Sequence, residues 1–310
     1  MVKTFLATLK LLRNHGAPSH ILYFGEALGD NLLLTTIARG LHEQTGKKVW
    51  IKSDHPDLFK NNPDVGLILP FNALLSRFAL ALRSIKLVRP SYANYDEVLD
   101  KDSVPEKHIV LKLADCVGLK GEIKNKPKIV LTEAEVLAGI YAKDQLVIIT
   151  SSVNGKIPMH NKEWLAERYQ QLADRLSDQY TILQLGAADD YPLNNVTDLR
   201  GKTNLRESAA VLHNSRLLIA HVGFLMHLAR AVDCPAVIIY GGREMPEQSG
   251  YAAYHNIYSA VACSPCWLRN LCHYDRKCMT AISVDTVYSV VNQQLQRPVG
   301  PLPVDSLFND

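Results

Sequence analysis

Residues 217–242, LLIAHVGFLMHLARAVDCPAVIIYGG, constrain this chain more than any other stretch. An apolar run over 217–220 stops at His221-Val222-Gly223, a helix-like stretch covers 224–232, and a second apolar run over 236–240 ends in Gly241-Gly242. This is a strand–turn–helix–strand unit with a glycine where the helix begins, a building block of parallel α/β sheets. A helix N-terminus presents unpaired N–H groups and the positive end of the backbone dipole, so it suits a diphosphate. The turn points to a nucleotide or nucleotide-sugar as ligand.

The rest of the 310 residues alternates in the same way. The first half reads as a strand (21–24), the turn Gly25-Glu26-Ala27-Leu28-Gly29-Asp30, a helix (31–45) and a strand (49–52). A helix over 73–88 follows, with Arg77, Arg83, Lys86 and Arg89 along it, then a helix over 108–117 and an exposed connection over 121–128. The second half reads as a strand (145–150), a polar loop (151–161), a helix (163–176) and a strand (181–185) ending at Gly186. A turn-rich loop (187–201) and a short helix (205–213) lead into the opening unit. Alternation on this scale predicts parallel sheets with helices on both faces. The domains are expected at 1–135 and 136–310. No G-x-G-x-x-G follows the first strand, which argues against a dinucleotide dehydrogenase.

A net charge of +3 gives no ground for a nucleic-acid partner. No apolar run approaches the roughly 20 residues that span a bilayer, and the start, MVKTFLATLKLLRNHG, lacks the apolar core and cleavage site of a signal peptide. The expected compartment is the cytoplasm. That first segment is a basic amphipathic helix with Lys3, Lys10 and Arg13, a type that packs on its own domain or lies on an anionic membrane surface. Four of the six cysteines crowd together as Cys263-x2-Cys266-x5-Cys272-x5-Cys278. In a reducing compartment this reads as a structural zinc or iron site, with disulfides the alternative in an oxidised preparation.

Four motifs, taken in order, resemble glycosyltransferase family 9, the bacterial heptosyltransferases. They are GDNLLLTTIARGL from Gly29, NKEWLAERY from Asn161, LMHLARAV from Leu225, and the CSPC…C…C segment with the I-x-V-D-x-V helix after it. The resemblance implies a GT-B architecture, two Rossmann-like domains facing across a cleft, with the acceptor on the first and the nucleotide-sugar on the second. It implies an inverting transfer of a sugar, heptose in the family, from a donor such as ADP-heptose to a lipopolysaccharide-core or other surface glycan. No catalytic metal is needed where fixed positive groups receive the leaving diphosphate. Two rival functions stay open at this point: a protein O-glycosyltransferase acting on a surface protein, and a catalytically silent nucleotide-sugar-binding protein.

By the same resemblance Asp30 is the general base that takes the acceptor hydroxyl's proton, and a helix cap is its bland alternative. Lys162, expected to open the 163–176 helix, becomes the clamp on the departing diphosphate. His227 lies near the phosphates or sugar. Gly223 is the stronger diphosphate candidate on physical grounds, and Gly186 and Gly241 end strands that border the nucleoside pocket. Gly29, Arg77 and Arg83 are the acceptor-side candidates, the arginines meeting phosphates or carboxylates of an anionic glycolipid and suggesting peripheral contact with a membrane. Asp189-Asp190 is read as a loop feature. The chain departs from the family's pattern where an acid usually precedes the helix histidine: Val222 or His221 stands there, and Ile37 replaces a proline.

Overall fold

The structure, a computed structural model, describes residues 2–150, 158–297, 300 and 302–310. Residues 151–157 of the expected polar loop lie outside the described residues.

In chain order the elements are α1 (Val2–His15), β1 (His20–Tyr23), α2 (Leu28–Thr45), β2 (Val49–Lys52), β3 (Val65–Leu69), α3 (Arg77–Ala81) and β4 (Lys86–Val88). The hairpin β5 (Tyr95–Asp96) and β6 (Lys101–Asp102) follows, then α4 (Ile109–Val117), β7 (Gly121–Lys124) and α5 (Glu133–Ala138). Next are β8 (Gln145–Ile149), α6 (Ala166–Leu176), β9 (Thr181–Leu185), β10 (Thr197–Asp198), α7 (Leu205–His213), β11 (Leu217–His221) and α8 (Phe224–Ala231). The chain continues through β12 (Ala236–Gly241), α9 (Pro246–Ser249), β13 (His255–Tyr258), α10 (Lys277–Thr280), α11 (Val284–Leu295) and β14 (Ser306–Asn309).

These elements form two compact units, but not by one cut at 135/136. The first unit comprises 1–92, 109–130 and 306–310, and the second 93–108 and 131–305. Two interactions explain the interleaving. β14 pairs antiparallel with β7, Leu307 opposite Ile123, which returns the last residues to the first unit. Asp102, in the 93–108 stretch, is bound by Arg243 and Arg269 of the second unit. The 121–128 segment, expected as an exposed connection, is therefore partly a strand.

The first unit's sheet is parallel, in the order β3-β2-β1-β4. Its central strand sets Ile21 against Trp50 on one side and Leu87 on the other. Ile21, Trp50, Leu69, Leu80 and Ile85 are buried together. The helix expected over 73–88 is instead a short α3 and the edge strand β4. Ser76 caps α3 by accepting the Ala79 N–H, and Ser84 turns the chain with φ 54°. Ile85 is then free to bury its β-branched side chain beside the sheet, which a continuous helix would not allow. The basic residues are consequently shared among a helix, a turn and a strand.

The second unit's sheet is also parallel, in the order β10-β9-β8-β11-β12-β13. Strands β8, β11 and β12 read QLVII, LLIAH and AVIIYG and are buried along almost their whole length. Strands covered on both faces need such unbroken apolar runs. Gln145 is the polar exception, and it is satisfied. Its side chain accepts from the Tyr141 and Ala142 N–H groups and donates to Gly139 O, Val211 O and Ser215 Oγ. Trp164 and Tyr169 meet edge to face at 4.9 Å beneath α6. Capping boxes start α5 (Thr132 with Glu135) and α7 (Asn204 with Glu207).

Candidate active site

In an open parallel sheet, ligands gather at the carboxyl ends of the two strands where the order reverses. In the second unit the chain runs outward from β8 to β10, then restarts at β11 and runs the other way, so the switch point lies between β8 and β11. In the first unit it lies between β1 and β4.

At the first unit's switch point, β1 leads into the Gly25–Asp30 turn and β4 into Arg89. Asp30 lies in the first turn of α2, half-buried, where a carboxylate is favoured by the helix dipole. It is not the cap: Ala27 holds that position, with no side-chain cap. Asn31 braces the turn, donating to Gly25 O (2.7 Å) and Ala27 O (2.9 Å) and accepting from Ser53 Oγ (2.9 Å). A Cβ at Gly25 would come 3.5 Å from an Arg89 guanidinium nitrogen, so the turn packs under that cation. Lys52 ends β2 over the Tyr23 ring, 5.5 Å from its centroid, and burial lowers its pKa. Arg89 is the last of the basic residues noted along the 73–88 segment, whereas nothing local in the sequence sets Lys52 apart from other lysines. Gly29 lies in α2 beside Asp30, and Arg77 and Arg83 are exposed at the ends of α3.

At the second unit's switch point Gly223 is the residue before α8, with extended backbone (φ 171°), and a Cβ there would meet no atom within 4 Å. A side chain at position 223 would thus enter open space just before α8. His227, one turn into that helix, is buried, with Nδ1 2.7 Å from the Tyr251 hydroxyl. Burial, with Lys162 adding to it, pushes His227 down to about 3, and the same causes bring His221 to about 4, so both imidazoles are neutral near pH 7. Val222, where the family pattern has an acid, is buried.

Lys162 corrects one expectation. It does not open α6, which begins four residues later at Ala166; it ends a separate 3₁₀ turn, His160–Lys162. Residues 163–165 run extended so that Trp164 can enter the core and donate to Ile282 O at 3.0 Å. The ammonium is thus not held against the positive end of α6. It pairs instead with Glu244, 2.7 Å from Oε1. Glu244 follows β12 and is buried, with a side chain 3% exposed. Burial alone would raise its pKa, but Lys162 and Arg243 hold it at about 2. This carboxylate was missed in the sequence; an acid three residues beyond a strand end carries no signal until its partners are known.

Gly186 and Gly241 both need to be glycine, for different reasons. Gly186 (φ 148°) lies against Asp190, whose carboxylate accepts the Ala187 N–H at 2.8 Å and is raised by burial to about 6. Gly241 (φ 60°) lies beneath Met279, and a Cβ on Gly242 would fall 2.2 Å from Ser264 Oγ. The end of β12 is therefore packed by the cysteine-bearing segment.

Within that segment Cys263, Cys266, Cys272 and Cys278 are half-buried free thiols. Burial raises Cys266 and Cys278, and neighbouring cysteines add to both shifts. Among the described residues, no three His, Cys, Asp or Glu side chains are grouped so as to hold a metal ion.

Among the described residues no helix is long and apolar enough to cross a membrane. Residues 124–275 match the model of glycosyltransferase family 9 (heptosyltransferase). Lipooligosaccharide heptosyltransferase 2 of Haemophilus influenzae is 31% identical over 94 residues, 26% of this chain. The chain covers only 27% of that relative's length.

Three solved structures are similar throughout. The iron-containing dodecameric glycosyltransferase TibC of enterotoxigenic E. coli has a TM-score of 0.70 at 16% identity, over 90% of this chain and 79% of its own. The ADP-heptose lipopolysaccharide heptosyltransferase II of E. coli has 0.62 at 16%, over 89% and 98%. A family 9 glycosyltransferase of Veillonella parvula has 0.62 at 14%, over 89% and 97%. The fold is therefore that of the GT-B glycosyltransferases, built from two Rossmann-like α/β units. Over residues 124–275 the chain is similar to glycosyltransferase family 9.

Proposed function

We propose that this chain is an inverting glycosyltransferase that moves a sugar, heptose in the favoured reading, from a nucleoside-diphosphate donor such as ADP-heptose to a glycan acceptor of the lipopolysaccharide-core type. One observation carries the reading. An ammonium fixed by a buried carboxylate just beyond the end of β12 lies near enough to His221 and His227 to lower both, and Gly223 and the first amides of α8 follow β11 on the same sheet edge. The two imidazoles there are neutral, so Lys162 and the α8 amides are the groups that receive negative charge.

In this scheme the acceptor oxygen forms a bond to the anomeric carbon as the bond from that carbon to the diphosphate breaks. The hydroxyl proton passes to the Asp30 carboxylate, and the diphosphate leaves with the electron pair toward Lys162 and the α8 amides. The test is release of nucleoside diphosphate from a panel of nucleotide-sugars offered with a glycan acceptor. No release from any donor would sink the enzymatic reading and leave the silent binding protein.

The acceptor side of the reading rests on the first unit. Leu74 and Phe78 are exposed beside an apolar groove of about 620 Å³ between α1 and α3, where Phe5 and Phe78 rings lie 5.9 Å apart. Residues 1–25 and 65–91 contain no acidic residue, while Lys3, Lys10, Arg13, Arg77, Arg83, Lys86 and Arg89 all fall there. Exposed apolar side chains on segments that carry cations and no acids suit peripheral contact with an anionic bilayer on the cytoplasmic side. Co-sedimentation with vesicles of phosphatidylglycerol, and not with phosphatidylcholine alone, is the expected result; equal recovery with both would overturn this contact.

The four cysteines are proposed as a structural zinc or iron site. The donor set suits a tetrahedral, thiophilic ion, and the thiols lie close enough to influence one another's protonation. An ion would have to draw the sulfurs inward from their present positions, and no chemical step runs through it. Elemental analysis of protein purified without added metal decides this, with less than about half an equivalent counting against it.

A further inference from the structure

We propose that Glu244 is the positioning residue for Lys162: a carboxylate fixed from behind by Arg243 and Ser249 that sets where the ammonium meets a diphosphate. The inference rests on the reading of Lys162 as the diphosphate clamp.

The geometry is that of a relay. Arg269 forks onto Asp102, with Nη2 2.6 Å from Oδ1 and Nε 3.1 Å from both oxygens. Asp102 Oδ2 in turn accepts from Arg243 Nη2 at 2.5 Å. Arg243 passes Nη1 to Glu244 Oε1 at 2.9 Å, and Ser249 Oγ donates to Glu244 Oε2 at 2.6 Å. The far end, Lys162 Nζ, is 2.7 Å from Oε1. Arg243 is itself clasped over the buried Trp267 ring, 4.8 Å from its centroid. Every member but the two ends is buried.

Two arguments assign the role. A carboxylate has about four lone-pair sites, and Glu244 commits three of them to Lys162, Arg243 and Ser249. With its side chain almost sealed from solvent it does not replace the acid missing at Val222 as a partner for sugar hydroxyls. Stability alone does not account for it either, because well-packed apolar residues stabilise an interior at least as well as a buried ion pair. A lysine side chain is a point charge on a flexible four-carbon stem and adopts one position only if something holds it there. Glu244, immobilised on its other sides, does so.

The test is a double-mutant cycle on nucleoside diphosphate affinity, measured by calorimetry with ADP, GDP and UDP, taking whichever binds tightest. Lys162→Ala is expected to weaken binding about tenfold or more. Glu244→Gln should weaken it about five- to tenfold when Lys162 is present and less than about twofold in the Lys162→Ala background. Glu244→Asp should recover part of the loss. A structural defect would instead cost the same in both backgrounds, and that result overturns the proposal.

Unchanged affinity in Glu244→Gln overturns it too. So does tighter binding, which would make the carboxylate a competitor for the ammonium. If Lys162→Ala itself changes nothing, or none of the three nucleotides binds, the clamp reading fails first. Should Glu244→Gln not fold, Ser249→Ala takes its place, with a loss of about two- to threefold that depends on Lys162 in the same way. No loss there is an equal refutation.

Discussion

A Cβ placed on Gly186 would lie 2.1 Å from Asp190 Oδ2. The strand end and the carboxylate fit together only because position 186 carries no side chain, and φ at 148° adds strain for any other residue. Gly186→Ala must therefore push Asp190 away from the Ala187 N–H. The expected cost is about 2–4 kcal/mol in urea-induced unfolding, from backbone strain plus a broken buried hydrogen bond. A loss under about 0.5 kcal/mol would mean the turn relaxes freely.

Two imidazoles, His227 buried and His221 half-buried at the end of β11, set an acid limit on stability. His221 and His227 are held at about 4 and about 3, against 6.5 for an unfolded histidine. Between those values the unfolded chain binds more protons than the folded one, so this contribution is fully present above about pH 6.5 and is lost as pH falls toward 3. Unfolding midpoints in urea should drop between pH 7.5 and pH 5, and His227→Gln, which keeps a polar partner for Tyr251, should lessen that drop. Equal pH dependence in the variant would remove His227 as a cause.

Asp30→Asn should leave the shape of the α2 turn intact while removing the base. We expect turnover to fall by about 10²–10⁴, the range for losing a general base, with donor affinity within about twofold of the parent, since the donor is assigned to the other unit. The measurement is nucleoside diphosphate release under saturating donor. An active Asp30→Asn protein would leave the residue only its favourable place beside the α2 dipole.

Arg206 joins α7 to α5 through Glu135, with Nε 2.5 Å from Oε1 and Nη2 2.7 Å from Oε2. The guanidinium, first among the causes, holds Glu135 at about 2. Because that value is below the unfolded one, the pair's contribution is present above about pH 4.5 and vanishes as pH falls toward 2. Arg206→Ala should cost about 2–3 kcal/mol at pH 7 by thermal or urea unfolding, and clearly less at pH 3. A pH-independent loss would trace the effect to packing of the Arg206 stem instead.

Much of the second unit is legible in the sequence because its strands are buried on both faces. The 181–185 strand and the 205–213 helix fall on the residues expected, and β8, β11 and β12 within one residue at an end. The 73–88 segment misled because ALLSRFALALRSIKLV has helical spacing, while the sheet's demand for an edge strand at Lys86–Val88 depends on β1, more than sixty residues earlier. Strand β7 was unreadable for the same reason, since its partner lies at 306–309. At the site, Gly223 and Lys162 could be named from local pattern and family resemblance. Glu244, Arg243 and Asp102 could not, because their meaning lies in pairings across 82 and 141 positions: Lys162 with Glu244, and Asp102 with Arg243. Lys162 itself was read with the wrong helix, since the tryptophan that pulls 163–165 straight is recognisable only once its partner Ile282 is known.

The pairing of β14 with β7 has a temporal side. Strand Gly121–Lys124 leaves the ribosome with its hydrogen-bonding edge open, and the residues that cover it are made almost two hundred codons later. The first unit is thus sealed only after the whole second sheet has been made, and a chain that stops before residues 306–309 would be released with an unprotected edge ready to pair with a neighbour.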